Sequence, residues 1–126
     1  MTQIVYAPIS IGELVDKITI LEIKLTKTQD DRKRGHISNE LLALVDLYQR
    51  LQIPDAVTDL KVRLMQINRE LWAIEDSKRK CEETQTFDDA FIQLARNVYI
   101  KNDLRALIKR EINNITNSSI IEEKIY

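Results

Sequence analysis

Several polar side chains occupy positions that the helical pattern assigns to the interior of the protein. At about 100° per residue, Glu22 falls between Val15 and Ile18, in the middle of the apolar stripe of the first predicted helix. Arg105 occupies the same kind of position in the last predicted helix. Three further polar residues flank the apolar stripes of the third and fourth helices: Asn68, Asn102 and Lys109. A carboxylate, two cations and two amides in one interior can form an ion-paired layer or a site for an anion.

These five residues are the candidate ligand-binding set. If the short loops make neighbouring helices antiparallel, counting residues from each loop places four of them, all but Lys109, within about two helical turns of one height. We predict that Glu22 pairs with Arg105, because an ionised group without a partner is costly to bury. The favoured interpretation is that the layer fixes the register of the helices. The alternative is a site in which Arg105 binds a carboxylate or phosphate while Glu22 acts as a base or counter-ion.

A second acidic pattern, Glu13-x-x-Asp16, places two carboxylates on one helix face. Helical metal-dependent nucleotide pyrophosphohydrolases bind Mg²⁺ through such a pair, but they need a second pair on a facing helix, and Glu70 with Glu75 has the wrong spacing. The same stretch is similar to the opening of small helical chorismate mutases, whose sites use paired arginines that the first helix lacks. We therefore interpret both acids as solvent-exposed capping residues. We predict no metal and no cofactor, and we assign no catalytic residue.

Four helices are predicted to position these residues. Their expected spans, from the N-cap onward, are about 10–28, 38–51, 55–83 and 86–116. The first starts at a capping box formed by Ser10 and Glu13, and the fourth starts at a similar motif after Thr86. Pro54 ends the second helix. The charged stretch 29–36 predicts a solvated loop.

The composition limits both the fold and the function. The chain has 126 residues, 44% of them hydrophobic, and only two Gly and two Pro, too few turn residues for a sheet of short strands. We predict a single domain over residues 1–126 with an all-α fold, a mainly antiparallel bundle of four helices with short N- and C-terminal extensions. The formal net charge of -1 disfavours nucleic acid as a partner, and no apolar run is long enough for a bilayer.

The ends of the chain and its single cysteine support expectations about location. Residues 1–8 lack the pattern of a signal peptide, and Cys81 cannot form an internal disulfide, so we expect a cytoplasmic protein. Residues 4–6 and 120–126 both favour extended structure. We expect these two segments to pair with each other or to lie over the bundle.

The helix lengths predict an interaction surface. At 1.5 Å per residue the third and fourth helices are about 40 Å long and the first about 26 Å, so the longer hairpin must extend past the first helix. Near its tip lie four apolar residues that the shorter helices do not reach: Ile74, Phe87, Phe91 and Leu94. We predict that this tip mediates self-association or binds a protein partner, as an interaction or scaffolding module. A small-molecule ligand bound at the polar layer, with or without catalysis, is the alternative.

Five segments of the chain also carry a resemblance to a known family. They are PISIGELVDKITILEIK at residues 8–24, LWAIED at 71–76, LARNVY at 94–99, NDLRA at 102–106 and IEEKIY at 121–126. The chain resembles a family of short helical bacterial and phage proteins that is classed as a domain of unknown function. The resemblance covers nearly the full length and includes Glu22, Asn102 and Arg105, but it implies no activity or ligand.

Overall fold

The computed structural model of the chain describes residues 2–125; Met1 and Tyr126, at the ends of the predicted domain, lie outside the described residues. It consists of four α-helices: α1 (Ile11–Lys27), α2 (Asp31–Gln49), α3 (Ala56–Thr84) and α4 (Asp89–Ile115). The described residues contain no β-strand, so the predicted all-α fold with four helices is confirmed. Within residues 2–125, no helix combines the length and the apolar character needed to cross a membrane.

Side-chain hydrogen bonds cap the N-termini of α1, α2 and α4. The Ser10 hydroxyl accepts the backbone N–H of Glu13 at 3.0 Å, at the predicted capping box. The predicted cap of α4 at Thr86 is wrong by two residues, since the Asp88 carboxylate accepts the backbone N–H of Phe91 at 3.2 Å. Asp55 occupies the N-cap position of α3 but makes no side-chain cap bond. The start of α1 is therefore fixed by local chemistry that is visible in the sequence.

The second helix begins earlier than predicted. Asp30 caps it by accepting the backbone N–H of Lys33 at 3.1 Å, and the helix runs from Asp31 rather than from Ser38. The predicted loop at 29–36 is therefore wrong for most of its length. Charged Arg and Lys residues are good helix formers, and a helix on the surface needs few apolar positions. No residue of α2 is buried, which agrees with such a peripheral position.

The first helix is the centre of the packing. It comes close to all three other helices, whereas the α2 backbone comes close only to that of α1 among the described helices. The third and fourth helices form a long hairpin, whose register is marked by Lys101 Nζ lying 2.8 Å from Glu70 Oε2. The buried core shared by α1, α3 and α4 consists of Val15, Val57, Leu60, Leu64, Ile108 and Ile112.

Both sides of α1 are buried, and they meet different partners. The helical spacing places Leu14, Ile18 and Leu21 on one side and Asp16 and Thr19 on the other. The side with Asp16 faces the hairpin, since the Asn68 side chain of α3 hydrogen-bonds both Asp16 and Thr19. The apolar side is left for α2. The predicted apolar stripe of the first helix is therefore divided, because Val15 packs in the core shared with α3 and α4.

Burial is confined to one half of the hairpin, although α1 also reaches the other half, where Ile20 and Ile23 line a cavity with Trp72 and Arg79. The buried residues of α3 lie between Val57 and Asn68, and those of α4 lie between Ile108 and Asn113. The far half of the hairpin, residues 69–84 and 89–107, has no buried residue. We call this half the distal hairpin.

The C-terminal segment lies along α4. Residues 120–125 have no regular secondary structure, and Glu123 Oε2 lies 3.1 Å from Arg110 Nη1. Residues 2–9 are exposed and form no strand, so the two ends of the chain do not pair as strands within the described residues. Charge, rather than strand propensity, decides the course of the tail, because its acids meet basic side chains of α4.

Candidate functional site

The centre of the buried polar layer is Asp16 on α1, whose side chain is 0% exposed. The Arg105 guanidinium on α4 binds it at two points: Nε donates to Oδ1 at 3.0 Å, and Nη2 donates to Oδ2. Two parallel bonds of this kind orient both groups. The hydrogen bonds to Asp16 raise the pKa of Arg105 although burial opposes the shift. The Arg105 side chain is 28% exposed, so the layer reaches the surface on the guanidinium side.

Amide groups complete the bonding of this pair. The Asn68 amide donates to Asp16 Oδ1 and to Thr19 Oγ1, both at 2.9 Å, and the Thr19 hydroxyl donates to the backbone oxygen of Asp16 at 2.7 Å. Asn102 Oδ1 accepts a bond from Arg105 Nη1 at 3.3 Å. Within residues 2–125 no buried side-chain nitrogen or oxygen lacks a hydrogen-bond partner. The buried polar atoms of the layer are thus all hydrogen-bonded within the protein.

Lys109 extends the layer to a third segment of the chain. Its ammonium lies 2.6 Å from Glu13 Oε2, 2.7 Å from Glu122 Oε2 and 3.9 Å from Asp16 Oδ2. Burial alone would lower the pKa of Lys109, but the bonds to Glu122 and Glu13 outweigh burial and raise it. This side chain therefore joins α1, α4 and the C-terminal segment.

A close backbone approach fixes the geometry of these ion pairs. The backbone N–H of Gly12 donates to Asn113 Oδ1 at 2.7 Å, across the contact between α1 and α4. A Cβ atom at Gly12 would lie 2.5 Å from the backbone oxygen of Lys109. The absence of a side chain at this one position lets the two helices come close enough for Glu13 and Asp16 to reach the cations of α4.

Four of the five predicted layer residues meet here: Asn68, Asn102, Arg105 and Lys109. Glu22 does not, and the predicted pair between Glu22 and Arg105 is replaced by Asp16 and Arg105. The Glu22 carboxylate lies 3.4 Å from Lys61 Nζ, with both side chains 36% exposed. The reason is the orientation of α1, whose side bearing Asp16, not Glu22, faces Arg105.

Asp16, Thr19 and Glu122 are the residues of the layer that the sequence reasoning missed. Asp16 was expected to be an exposed capping acid, together with Glu13; Asp16 is instead buried, and Glu13 is partly buried against Lys109. One signal was present. Ile20 and Ile23 lie on the same side of the helix as Asp16, and apolar residues there indicate that this side is covered.

An open cavity of about 490 Å³ adjoins the layer between α1 and the hairpin. Ile20, Leu71 and Trp72 form part of its apolar wall, and its charged lining consists of two cations, Arg79 and Arg105, and two carboxylates, Glu75 and Asp76. Among the described residues, no three side chains of His, Cys, Asp or Glu lie close enough together to hold a metal ion. The size and the apolar wall of this cavity suit a small molecule that is largely apolar.

The four predicted interface residues lie in the distal hairpin and its tip. Phe87 is 50% exposed and packs edge-on against Phe91, with ring centroids 5.1 Å apart. Ile74, Phe91 and Leu94 are partly buried. The tip therefore presents one aromatic pair in which Phe87 is exposed and Phe91 is partly buried.

Comparison with known families identifies the family of this chain but no activity. A family model described as "Family of unknown function (DUF6165)" matches residues 5–126, so the chain belongs to this family. This agrees with the resemblance seen in the sequence segments. No curated protein and no solved structure matches the chain.

Proposed function

We propose that the protein is an interaction module that self-associates through the apolar tip of its α3/α4 hairpin. The observation that carries this proposal is the distribution of burial: the distal hairpin has no buried residue, yet its tip carries the Phe87 and Phe91 pair. Apolar side chains that stay exposed at the turn of a helical hairpin, as Phe87 does, favour association with another chain. A cytoplasmic location belongs to the same proposal and is supported by Cys81, which has no second cysteine to pair with.

The polar layer has a supporting role in this proposal. Arg105 donates two hydrogen bonds to the Asp16 carboxylate. The Lys109 ammonium lies 2.6 Å from the Glu13 carboxylate of α1 and 2.7 Å from the Glu122 carboxylate of the C-terminal segment. Such a layer specifies how α1 sits on the hairpin, since a shift of one residue would leave a buried charge without its partner. The layer therefore holds the distal hairpin in a fixed direction.

The test is the mass of the protein in solution. Wild type should sediment above the 14.7 kDa of one chain and become larger with concentration. The variant Phe87→Ser should be smaller at each concentration, because it removes apolar area that association would bury. The matched control is Leu42→Ser, which removes a 68% exposed apolar side chain on α2. Equal masses of wild type and Phe87→Ser would contradict the role of the tip.

The second candidate function is binding of a small anionic ligand in the cavity beside the layer. The specific observation is that Arg105 borders this cavity with donor capacity left, since only three of its five N–H groups have partners in the layer. Its apolar wall suits an aromatic ring and Arg79 supplies a second cation for a carboxylate, which Glu75 and Asp76 in the same lining oppose.

Trp72 provides a direct readout for this candidate, because it is the only tryptophan of the chain and lies in the cavity wall. Titration with benzoate should change its fluorescence in a saturable manner. Arg79→Gln should weaken binding, while Arg110→Gln, which alters a cation outside the cavity, should not. If benzoate does not change the Trp72 fluorescence, or if Arg79→Gln and Arg110→Gln bind benzoate equally well, this function is rejected.

A further inference from the structure

A second apolar surface lies between α3 and α4 and has no residue of α1 or α2 in its walls. It is a groove of about 500 Å³ lined by Val62 and Ile67 from α3 and by Leu104 and Leu107 from α4. Val62 is 65% exposed and Leu107 is 60% exposed. Two large apolar side chains in one open groove form a patch of the kind that binds another surface.

The apolar stripe of α4 continues beyond this groove. Ile100 is 38% exposed and precedes Leu104 and Leu107 at helical spacing, so the three side chains share one face. This face lies away from Phe91 and Leu94, which point to the opposite side of the same helix. The groove is therefore a different surface from the tip.

Two opposite charges flank the groove. Arg63 lines the α3 wall and Glu111 lines the α4 wall, and both are exposed. Neither of these two residues is in an ion pair with another residue of the described chain 2–125. Counting from the Glu70–Lys101 contact places them within about one helical turn of the same height.

We propose that a second copy of this chain docks in the groove, with a two-fold axis parallel to the hairpin. Such an axis places α3 of one copy opposite α4 of the other at the same height. Arg63 of each copy then faces Glu111 of the other, and the ion pair forms twice. The charge pattern of the groove is thus complementary to itself, which favours a second copy over an unrelated partner. With the tip as another contact, copies can assemble beyond a dimer.

The experiment isolates the groove by using the Phe87→Ser background, in which the tip contact is weakened. In this background the protein should reach a dimer at high concentration. Adding Arg63→Glu or Glu111→Arg should weaken the dimer by about tenfold or more at low salt, because each change makes two like-charge contacts. Both residues are exposed, so the variants should keep the helical circular dichroism of the parent.

Mixing the two charge variants provides the decisive measurement. Chains with Arg63→Glu carry two acids at the groove and chains with Glu111→Arg carry two cations, so the mixture should form a dimer as tight as the parent. A mixture that stays monomeric, or single variants that dimerise as well as the parent, would overturn the groove proposal. A Phe87→Ser protein that is monomeric throughout would also overturn it while supporting the tip contact. If wild type and Phe87→Ser have equal masses, the tip contact is rejected and the groove contact is not.

Discussion

Asp16 and Arg105, which are 89 residues apart in the sequence, form a two-point ion pair that joins α1 to α4. The two partners differ in their access to water. The Asp16 side chain is 0% exposed, whereas that of Arg105 is 28% exposed. Water can therefore replace bonds of the guanidinium but not those of the carboxylate. The stability of the layer depends chiefly on keeping the carboxylate partnered.

Replacing Arg105 by Met should lower the free energy of unfolding by about 3 kcal/mol, because it leaves the buried Asp16 carboxylate without its main partner. Asn68 and Lys109 remain beside Asp16 and limit the loss. Urea unfolding followed by circular dichroism measures the change.

The control is Glu22→Gln, which removes the carboxylate that the sequence placed in the layer. The Glu22 carboxylate lies 3.4 Å from Lys61 Nζ, and both side chains are 36% exposed. The variant should therefore lower the free energy of unfolding by less than about 1 kcal/mol. A larger loss for Glu22→Gln than for Arg105→Met would contradict the assignment of Asp16 as the buried partner.

The two glycines of the chain should respond to alanine in opposite ways. Gly12→Ala should destabilise the protein, since its Cβ would collide with the Lys109 backbone oxygen at 2.5 Å, and backbone cannot move aside cheaply. Gly35 lies inside α2 and has open space around it, so Gly35→Ala should stabilise by up to about 1 kcal/mol through helix propensity. Thermal unfolding of both variants tests the pair, and equal effects would show that the α1–α4 contact is looser than described.

The fold was predictable to the extent that local chemistry determines it. Ser10 is a cap whose bonding depends on a residue three positions away, and the sequence identifies it, whereas the local pattern places the cap of α4 at Thr86 instead of Asp88. Arg105 and Asn68 were found because each interrupts an apolar stripe. The partner of Arg105 was not found, because Glu22 and Asp16 occupy different sides of α1 and the choice depends on which side meets the hairpin. That choice is a tertiary property, decided by where α2 packs.

The start of α2 is a second feature that the sequence pattern did not predict. Charged residues at 31–36 gave no apolar stripe, and a surface helix is hard to distinguish from a loop on that basis. Asp30→Ala should remove the cap and speed amide hydrogen exchange at residues 31–34. Ser38→Ala, at the originally predicted cap, should leave that exchange unchanged. Faster exchange in Ser38→Ala alone would favour the later start.

The raised pKa of Lys109 predicts a specific dependence of stability on alkaline pH. The folded protein holds this proton more tightly than the unfolded chain, whose lysine has the ordinary value of 10.5. The contribution is therefore complete below that pH and is lost as the pH rises through the higher value of the folded state. Glu122→Gln removes one of the carboxylates that raise the pKa, so it should lower stability at neutral pH and make the alkaline decline shallower.

Glu123→Gln is the matched control for this measurement, since it lies next to Glu122 in the same exposed segment. Its partner is Arg110 and not Lys109, so the variant should keep the wild-type slope above pH 10.5. Other groups that titrate in this range, such as Tyr48, are common to all three proteins and cancel in the differences. Chemical unfolding at a series of pH values gives the slopes. Identical slopes for wild type and Glu122→Gln would mean that the tail does not hold Lys109 in solution, and the link between the C-terminal segment and the polar layer would have to be abandoned.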